Sequence, residues 1–138
     1  MEVPAHMSVF CTCCSKSKSS DPGTIPAICR YNSERIRRVY AAACSLNLRF
    51  FILSGKFGLI EPQHCIPDYD HLLRSDEVSA FADRVIRQIN EHGIDGFVYF
   101  TKPLASNPDR LPYHDALVAA CRSTSRAFFV VELEDSNI

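Results

Sequence analysis

Phe50-Phe51-Ile52-Leu53-Ser54-Gly55-Lys56-Phe57-Gly58-Leu59-Ile60-Glu61-Pro62 decides how this chain is read, and Pro67-Asp68-Tyr69-Asp70 follows soon after. From Arg49 to Leu53 the hydrophobicity is almost continuous, which suits a strand covered on both faces. The run then breaks into Ser-Gly-Lys, a second glycine, a proline and two carboxylates around a tyrosine. A strand that opens into small residues, a cation and acids has the form of an α/β active-site edge.

Working outward, Ser8 to Cys13 reads as a short buried strand, and Ser15 to Ile28, rich in Ser, Lys, Pro and Gly, as a loop. Ser33 is a plausible N-cap for a helix carrying Ile36, Val39, Tyr40, Ala43 and Leu46 at three- and four-residue steps. Residues 54–74 read as a long, ordered, functional loop with at most short helical turns. A second helix runs from Ser75 to His92 along the stripe Val78, Phe81, Ala82, Val85, Ile86 and Ile89, and Gly93 ends it. Gly96 to Phe100 is a third strand opening into Thr101-Lys102-Pro103. Pro112 suits the first turn of a helix with Tyr113, Ala116, Leu117 and Ala120 inward, and Ala127 to Leu133 is a last strand.

Strand then helix, three times over, followed by a strand, predicts right-handed βαβ units. The fold class is therefore α/β: a single three-layer domain over residues 1–138, with a mostly parallel four-stranded sheet and helices on both faces, Rossmann-like. The ends, residues 1–7 and 134–138, are expected to be flexible.

A chain of 138 residues is long enough to bury a real core, and 46% hydrophobic with 22% charged residues is ordinary for a globular protein rather than a disordered one. No apolar stretch approaches the ~20 residues of a membrane span, and Met1 to His6 lacks the features of a signal peptide, so a cytoplasmic location is expected, with no membrane partner. Seven cysteines without an export signal argue against a disulfide framework. Cys44 and Cys121 read as small core residues. Cys11, Cys13 and Cys14 lack the second Cys/His pair that structural zinc needs, so neither metal nor cofactor is expected.

Net charge is −1, but residues 1–56 carry eight Lys/Arg against three acids (+5), and the remainder seven against thirteen (−6). A basic half suggests phosphate or nucleic-acid contact. Arg35, Arg37 and Arg38 read as the solvated face of a helix, leaving Lys16, Lys18 and Lys56 as the specific anion binders.

In parallel α/β sheets ligands collect beyond the carboxyl ends of the strands. Three such exits carry lysine beside small or hydroxylated residues: Ser15-Lys16-Ser17-Lys18, Ser54-Gly55-Lys56 and Thr101-Lys102. Cys14, at the first exit, is a candidate nucleophile whose thiolate a nearby lysine would favour, or else a structural thiol. Ser15 and Ser17 would bind phosphate or carboxylate oxygens. Gly before Lys-Ser/Thr at the Walker A spacing is absent, which disfavours ATP hydrolysis. Asp68 and Asp70 are a candidate acid–base pair or a turn cap. Tyr69 would stack on a base or pack, and Tyr31 and Ser33 would meet an anion at a helix N-terminus. His64 and His71 flank the same loop.

Cys14-Ser15-x-x-Lys18, Tyr31-x-Ser33 with Arg38-x-x-Ala41, Ile52-Leu53-Ser54-Gly55-Lys56-Phe57-Gly58-Leu59-Ile60-x-Pro62 and Ile66-x-x-Tyr69-Asp70-x-x-Leu73 together resemble DUF6884, a family of small bacterial and phage domains. The likeness covers most of residues 9–73 and extends more weakly to Tyr113 and Leu117. The middle motif is also similar to a segment of the peroxide-stress DNA-binding family. Cys-Ser-x-x-Lys with the later Gly, Pro and Tyr-Asp resembles the catalytic domain of archaeosine synthase, which is compared with uracil-DNA glycosylases. These resemblances imply a nucleobase- or nucleotide-linked role.

The expected function is an enzyme processing a nucleotide or modified base, by hydrolysis or group transfer at an N-glycosidic or base-adjacent centre. Its catalytic candidates are Cys14, Ser15, Lys18 and Asp70. Tyr31, Ser33, Ser54, Gly55, Lys56, Tyr69 and Lys102 are the substrate-binding candidates, and DNA or RNA is a further candidate partner. The alternatives are a non-catalytic nucleic-acid-binding or oxidative-stress module and a small-ligand sensor.

Overall fold

A computed structural model describes residues 8–134; the ends expected to be flexible lie outside the described residues, Glu134 apart. In chain order the elements are β1 (Ser8–Cys13), β2 (Ile25–Pro26), α1 (Ala27–Arg30), α2 (Glu34–Ser45), β3 (Phe50–Ser54), β4 (Gly58–Ile60) and β5 (Cys65–Ile66). A 3-10 turn at Ser75–Glu77 leads into α3 (Val78–His92), then β6 (Gly96–Thr101). A second 3-10 turn, Pro108–Arg110, leads into α4 (Leu111–Thr124), and β7 (Ala127–Glu132) follows.

The fold is mixed α/β. Five strands form the main sheet in the order β4-β3-β1-β6-β7, and only β4 runs antiparallel to its neighbour. All four strands read from the sequence are present. β3 is apolar on both sides, with Phe51, Ile52 and Leu53 fully buried, and central β1 buries Val9, Cys11 and Cys13 on one face and Thr12 on the other. Each large apolar side chain buried this way stabilises the fold by about 1.5–3 kcal/mol. Helix α2 packs on β1 and β3, while α3 packs against α4 and β4. Among the described residues no helix is long and apolar enough to cross a membrane.

The fifth strand departs from expectation. Residues 54–74 do not run as one loop, because the chain turns back after Ser54 and pairs Ser54 with Gly58, Leu53 with Leu59 and Ile52 with Ile60. Ser54 Oγ accepts from the backbone N–H of Lys56 (3.2 Å) and of Phe57 (3.1 Å), and Gly58 takes φ +74°. Gln88 of α3 then clamps the turn, its Oε1 accepting from Leu59 N–H at 2.8 Å and its Nε2 donating to the Phe57 carbonyl at 3.1 Å. Further along, Cys65–Ile66 pairs with Ile25–Pro26, so each expected loop supplies one strand of a small antiparallel ribbon.

Helix boundaries follow local chemistry. Ser33 caps α2 by accepting from Ile36 N–H at 3.2 Å, and Gly93 closes α3 in the left-handed region at φ +62°. Three sequence readings of side chains are corrected. Arg35 is not part of a solvated face: it is 2% exposed and donates to Thr12 Oγ1 and to the Cys13 carbonyl (2.9 Å for the latter), while Arg37 and Arg38 are exposed. Cys44 is exposed rather than core, unlike Cys121, because α2 turns it away from the sheet. Leu46 is the exposed C-cap residue rather than part of the buried stripe.

The turn at Gly58 gives a direct test. A Cβ there would collide with the Gln88 side-chain amide and sit on a left-handed backbone. Gly58→Ala should therefore lower unfolding free energy by about 1–3 kcal/mol. An unchanged denaturation midpoint would contradict this geometry.

Candidate functional site

The loop leaving β1 is ordered by a buried cation. Arg30, at the end of α1, is fully buried and donates to four carbonyls: Ser19 (2.8 Å), Asp21 (2.9 Å), Gly23 (2.9 Å) and Ile66 (3.2 Å). Backbone pairing adds to this, with Ser19 N–H on the Arg30 carbonyl at 2.7 Å and Asn32 N–H on the Ser17 carbonyl at 2.9 Å. Lys18 thereby bridges to Tyr31. A polar loop with this much fixed backbone holds its side chains in defined places.

A chain of hydroxyls lies beneath that loop. Ser54 Oγ already accepts two backbone N–H groups, so its single proton is directed to Tyr69 Oη, 2.9 Å away. The Tyr69 proton then goes to Tyr31 Oη at 2.5 Å. Across the same centre, Tyr113 Oη accepts from Leu73 N–H at 3.0 Å and from the Cys14 thiol at 3.8 Å. Burial pushes the Tyr31, Tyr69 and Tyr113 hydroxyls well above the ordinary tyrosine value, and the nearby Cys14 adds to the rise in each. All three phenols are thus neutral hydrogen-bonding groups at physiological pH.

The four catalytic candidates come together. Cys14, Ser15, Lys18 and Asp70 line one cleft of about 300 Å³ with Tyr113 and Arg110. Cys14 is only 4% exposed and Asp70 is exposed, so the cleft has a thiol floor and a carboxylate rim. On the outer side, Lys18, Asp68, Tyr69 and Asp70 line a more open cleft with Lys16. Two ammonium groups bracket the Tyr69 ring, Lys18 Nζ at 4.6 Å and Lys56 Nζ at 5.9 Å from its centroid.

The substrate-binding candidates separate into three groups. Tyr31 and Ser54 are buried (1% and 0% exposed) and hold Tyr69 from behind. Gly55 and Lys56 line a neighbouring cleft with Asp70, His71 and Glu77. Glycine at 55 reflects close approach: a Cβ would lie 2.8 Å from Tyr113 Oη and 3.1 Å from the His71 carbonyl. Ser33 and Lys102 line a third cleft, on the other side of Arg110. His71 Nε2 lies 3.1 Å from Glu77 Oε2, whereas His64 is exposed outside these clefts.

Arg110 escaped the sequence reading. It is 5% exposed and precedes the first residue of α4, where the helix dipole disfavours a cation. A cation in a Pro-Asp-Arg-Leu-Pro helix start was the signal that could have found it. Burial works against its charge, yet Cys13, Cys14, Asp109 and Tyr113 around it outweigh burial and raise its pKa above the usual arginine value. Among the described residues no three His, Cys, Asp or Glu side chains are grouped as a metal site.

Two outcomes follow from this geometry. Arg30→Ala leaves four carbonyls without their charged donor, and since each loss is worth about 1–3 kcal/mol, destabilisation of at least about 3 kcal/mol is expected in chemical unfolding. A smaller loss, below about 1 kcal/mol, would show that the loop does not depend on it. Second, unfolded tyrosines lose their protons near the ordinary value of about 10, while Tyr31, Tyr69 and Tyr113 resist in the folded chain. Raised folded values stabilise the protein below pH ~10 and that stability is lost above it, so tyrosinate absorbance from these residues should appear together with unfolding. Their ionisation near pH 10 with circular dichroism intact would contradict the buried network.

No curated protein and no solved structure matches the chain. The model of a family described as a family of unknown function, DUF6884, matches residues 9–101, which take in the exits of β1 and β3 and the Tyr69-Asp70 segment and end on the last residue of β6. The chain belongs to the DUF6884 family.

Proposed function

We propose that the protein is a nucleotide- or nucleobase-processing enzyme, acting by hydrolysis or group transfer at an N-glycosidic or base-adjacent centre. The observation that carries this reading is the cleft shared by Cys14, Ser15, Lys18 and Asp70, with the neutral phenol of Tyr113 beside the thiol at its floor. A volume of about 300 Å³ suits a base with its sugar. In hydrolysis, Asp70 on the rim takes the proton of the attacking water, and Lys18 stabilises anionic charge as the bond to the base breaks. Cys14 and Ser15 orient the ligand or, in group transfer, supply the nucleophile. Lys56 contributes a second cation beside Tyr69.

The same reading takes the chain as one three-layer, Rossmann-like domain. Right-handed crossovers from β1 to β3 run one way across the sheet, and those from β3 to β6 and β6 to β7 run the other, which sets α2 opposite α3 and α4. The switch point then falls between β1 and β6, beside the cleft. All seven cysteines are free, which favours a cytoplasmic home.

A second reading, a non-catalytic nucleic-acid-binding module, draws on Lys16, Lys18, Lys56 and Lys102 at one sheet edge. It expects DNA or RNA affinity that falls steeply with salt, and binding indifferent to salt would sink it. The enzyme reading is tested by incubating the protein with nucleoside monophosphates and modified-base DNA and following released base or transferred group by mass spectrometry. Turnover should fall by about a hundredfold or more in Asp70→Asn and at least tenfold in Lys18→Ala, in line with the worth of a general base and of a charge stabiliser. Turnover left intact by both substitutions would remove the assigned roles.

A further inference from the structure

Arg110 combines features that each work against stability. It is a cation at a helix N-terminus, it is 95% removed from solvent, and its Nε is buried without a hydrogen-bond acceptor. Among the described residues its guanidinium forms no hydrogen bond or ion pair; it lies over the face of Tyr113, 5.5 Å from its carbon to the ring centroid. Arg30, buried at the end of α1, also leaves its Nε without a partner but spends its two terminal nitrogens on four carbonyls. A guanidinium presents five donors arranged to grip planar or tetrahedral oxyanions. Leaving such a group buried and unmatched is costly, and local rules are broken in this way at functional sites.

The guanidinium is a shared wall. On one side lies the Cys14 cleft; on the other lies a second cleft of about 350 Å³. That second cleft is lined by Lys16, Ser33, Glu34, Arg35, Lys102 and Arg110 among others. Arg110 and Lys16 face a single carboxylate there, and that carboxylate is already engaged, Glu34 Oε1 lying 2.8 Å from Arg37. The N-terminus of the 12-residue helix α2 opens on the same space, with Ser33 as its cap. A helix N-terminus favours an anion, and a net positive cleft of this size exceeds what a single carboxylate would call for.

We infer that this second cleft is the seat of a phosphoryl dianion, gripped by Arg110 and Lys16 at the α2 N-terminus, and that the ligand is a phosphate monoester whose remaining part enters the Cys14 cleft. Only the identity of that remaining part rests on the nucleotide reading; the phosphoryl seat stands on Arg110 and its surroundings. Phosphate thereby moves from Lys18 and Lys56, which lie near Tyr69, to Arg110 and Lys16, which line both clefts.

Calorimetric titration of the full chain with inorganic phosphate, a nucleoside monophosphate and the matching nucleoside tests this. Wild-type protein should bind phosphate, and bind the monophosphate more tightly than the nucleoside. Arg110→Gln should weaken both phosphate-bearing ligands by about ten- to a hundredfold, the worth of a charged hydrogen-bond pair. Lys16→Ala, on an exposed side chain that leaves folding intact, should weaken them about two- to fivefold, and Lys16→Glu further. Arg122→Ala, on the exposed face of α4, should change nothing. No phosphate binding by wild-type protein, or binding undiminished in both the Arg110 and Lys16 variants, would overturn the proposal. So would loss of phosphate binding in Lys56→Ala with Arg110→Gln unaffected. Phosphate bound through Arg110 without any turnover would sink the enzyme reading alone, and turnover indifferent to Arg110 and Lys16 would sink this proposal alone.

Discussion

The Arg30 guanidinium, buried with no carboxylate partner among the described residues, is the constraint on which the site depends. Eleven residues, most of them polar, separate the end of β1 from β2, too many to stay in place through their own side chains. Three of the four carbonyls that Arg30 gathers belong to that loop, and the fourth belongs to β5 in the segment carrying Tyr69 and Asp70. One charge therefore joins the two segments whose side chains meet over Cys14. Backbone carbonyls solvate the buried cation in place of water, so no acid is needed that would oppose an anionic ligand.

Around that anchor the polar groups are sorted by what they have left to give. Ser54 gives its lone pairs to its own turn and its proton to Tyr69, so it shapes the site without entering it. Thr12 plays a related part at the junction of β1 and β6, donating to the Phe100 carbonyl at 2.8 Å while accepting from Arg35. Gly55 is bare so that Tyr113 can reach the β3 exit and meet both Cys14 and the backbone of Leu73. What remains without an ion-pair partner among the described residues is the set facing the clefts: the Lys16, Lys18 and Lys56 ammonium groups, the Asp70 carboxylate and the Arg110 guanidinium.

Much of the fold was legible in the sequence because it is written in runs and periods. Continuous apolarity marked β1, β3, β6 and β7, and Ser33 and Gly93 marked helix ends by chemistry that acts locally. β4 was not legible, since three residues after a glycine turn carry no alternation to read and are held by a glutamine some thirty residues away. The site was legible where residues cluster in sequence, as in Cys14 to Lys18 and Tyr69-Asp70. Arg30, Arg35 and Arg110 were not, because the value of a buried arginine is set by carbonyls and clefts supplied from distant segments. Arg35 was also masked by its neighbours Arg37 and Arg38, which make a helix turn look uniformly solvated.

A structure of the protein crystallised with a nucleoside monophosphate would test the central claim most directly. The phosphoryl group should lie within hydrogen-bond distance of Arg110 and Lys16 beside the α2 N-terminus, with the base or sugar against Tyr113, Cys14 and Asp70. A ligand seated with its phosphate between Lys18 and Lys56, or bound away from both clefts, would contradict it.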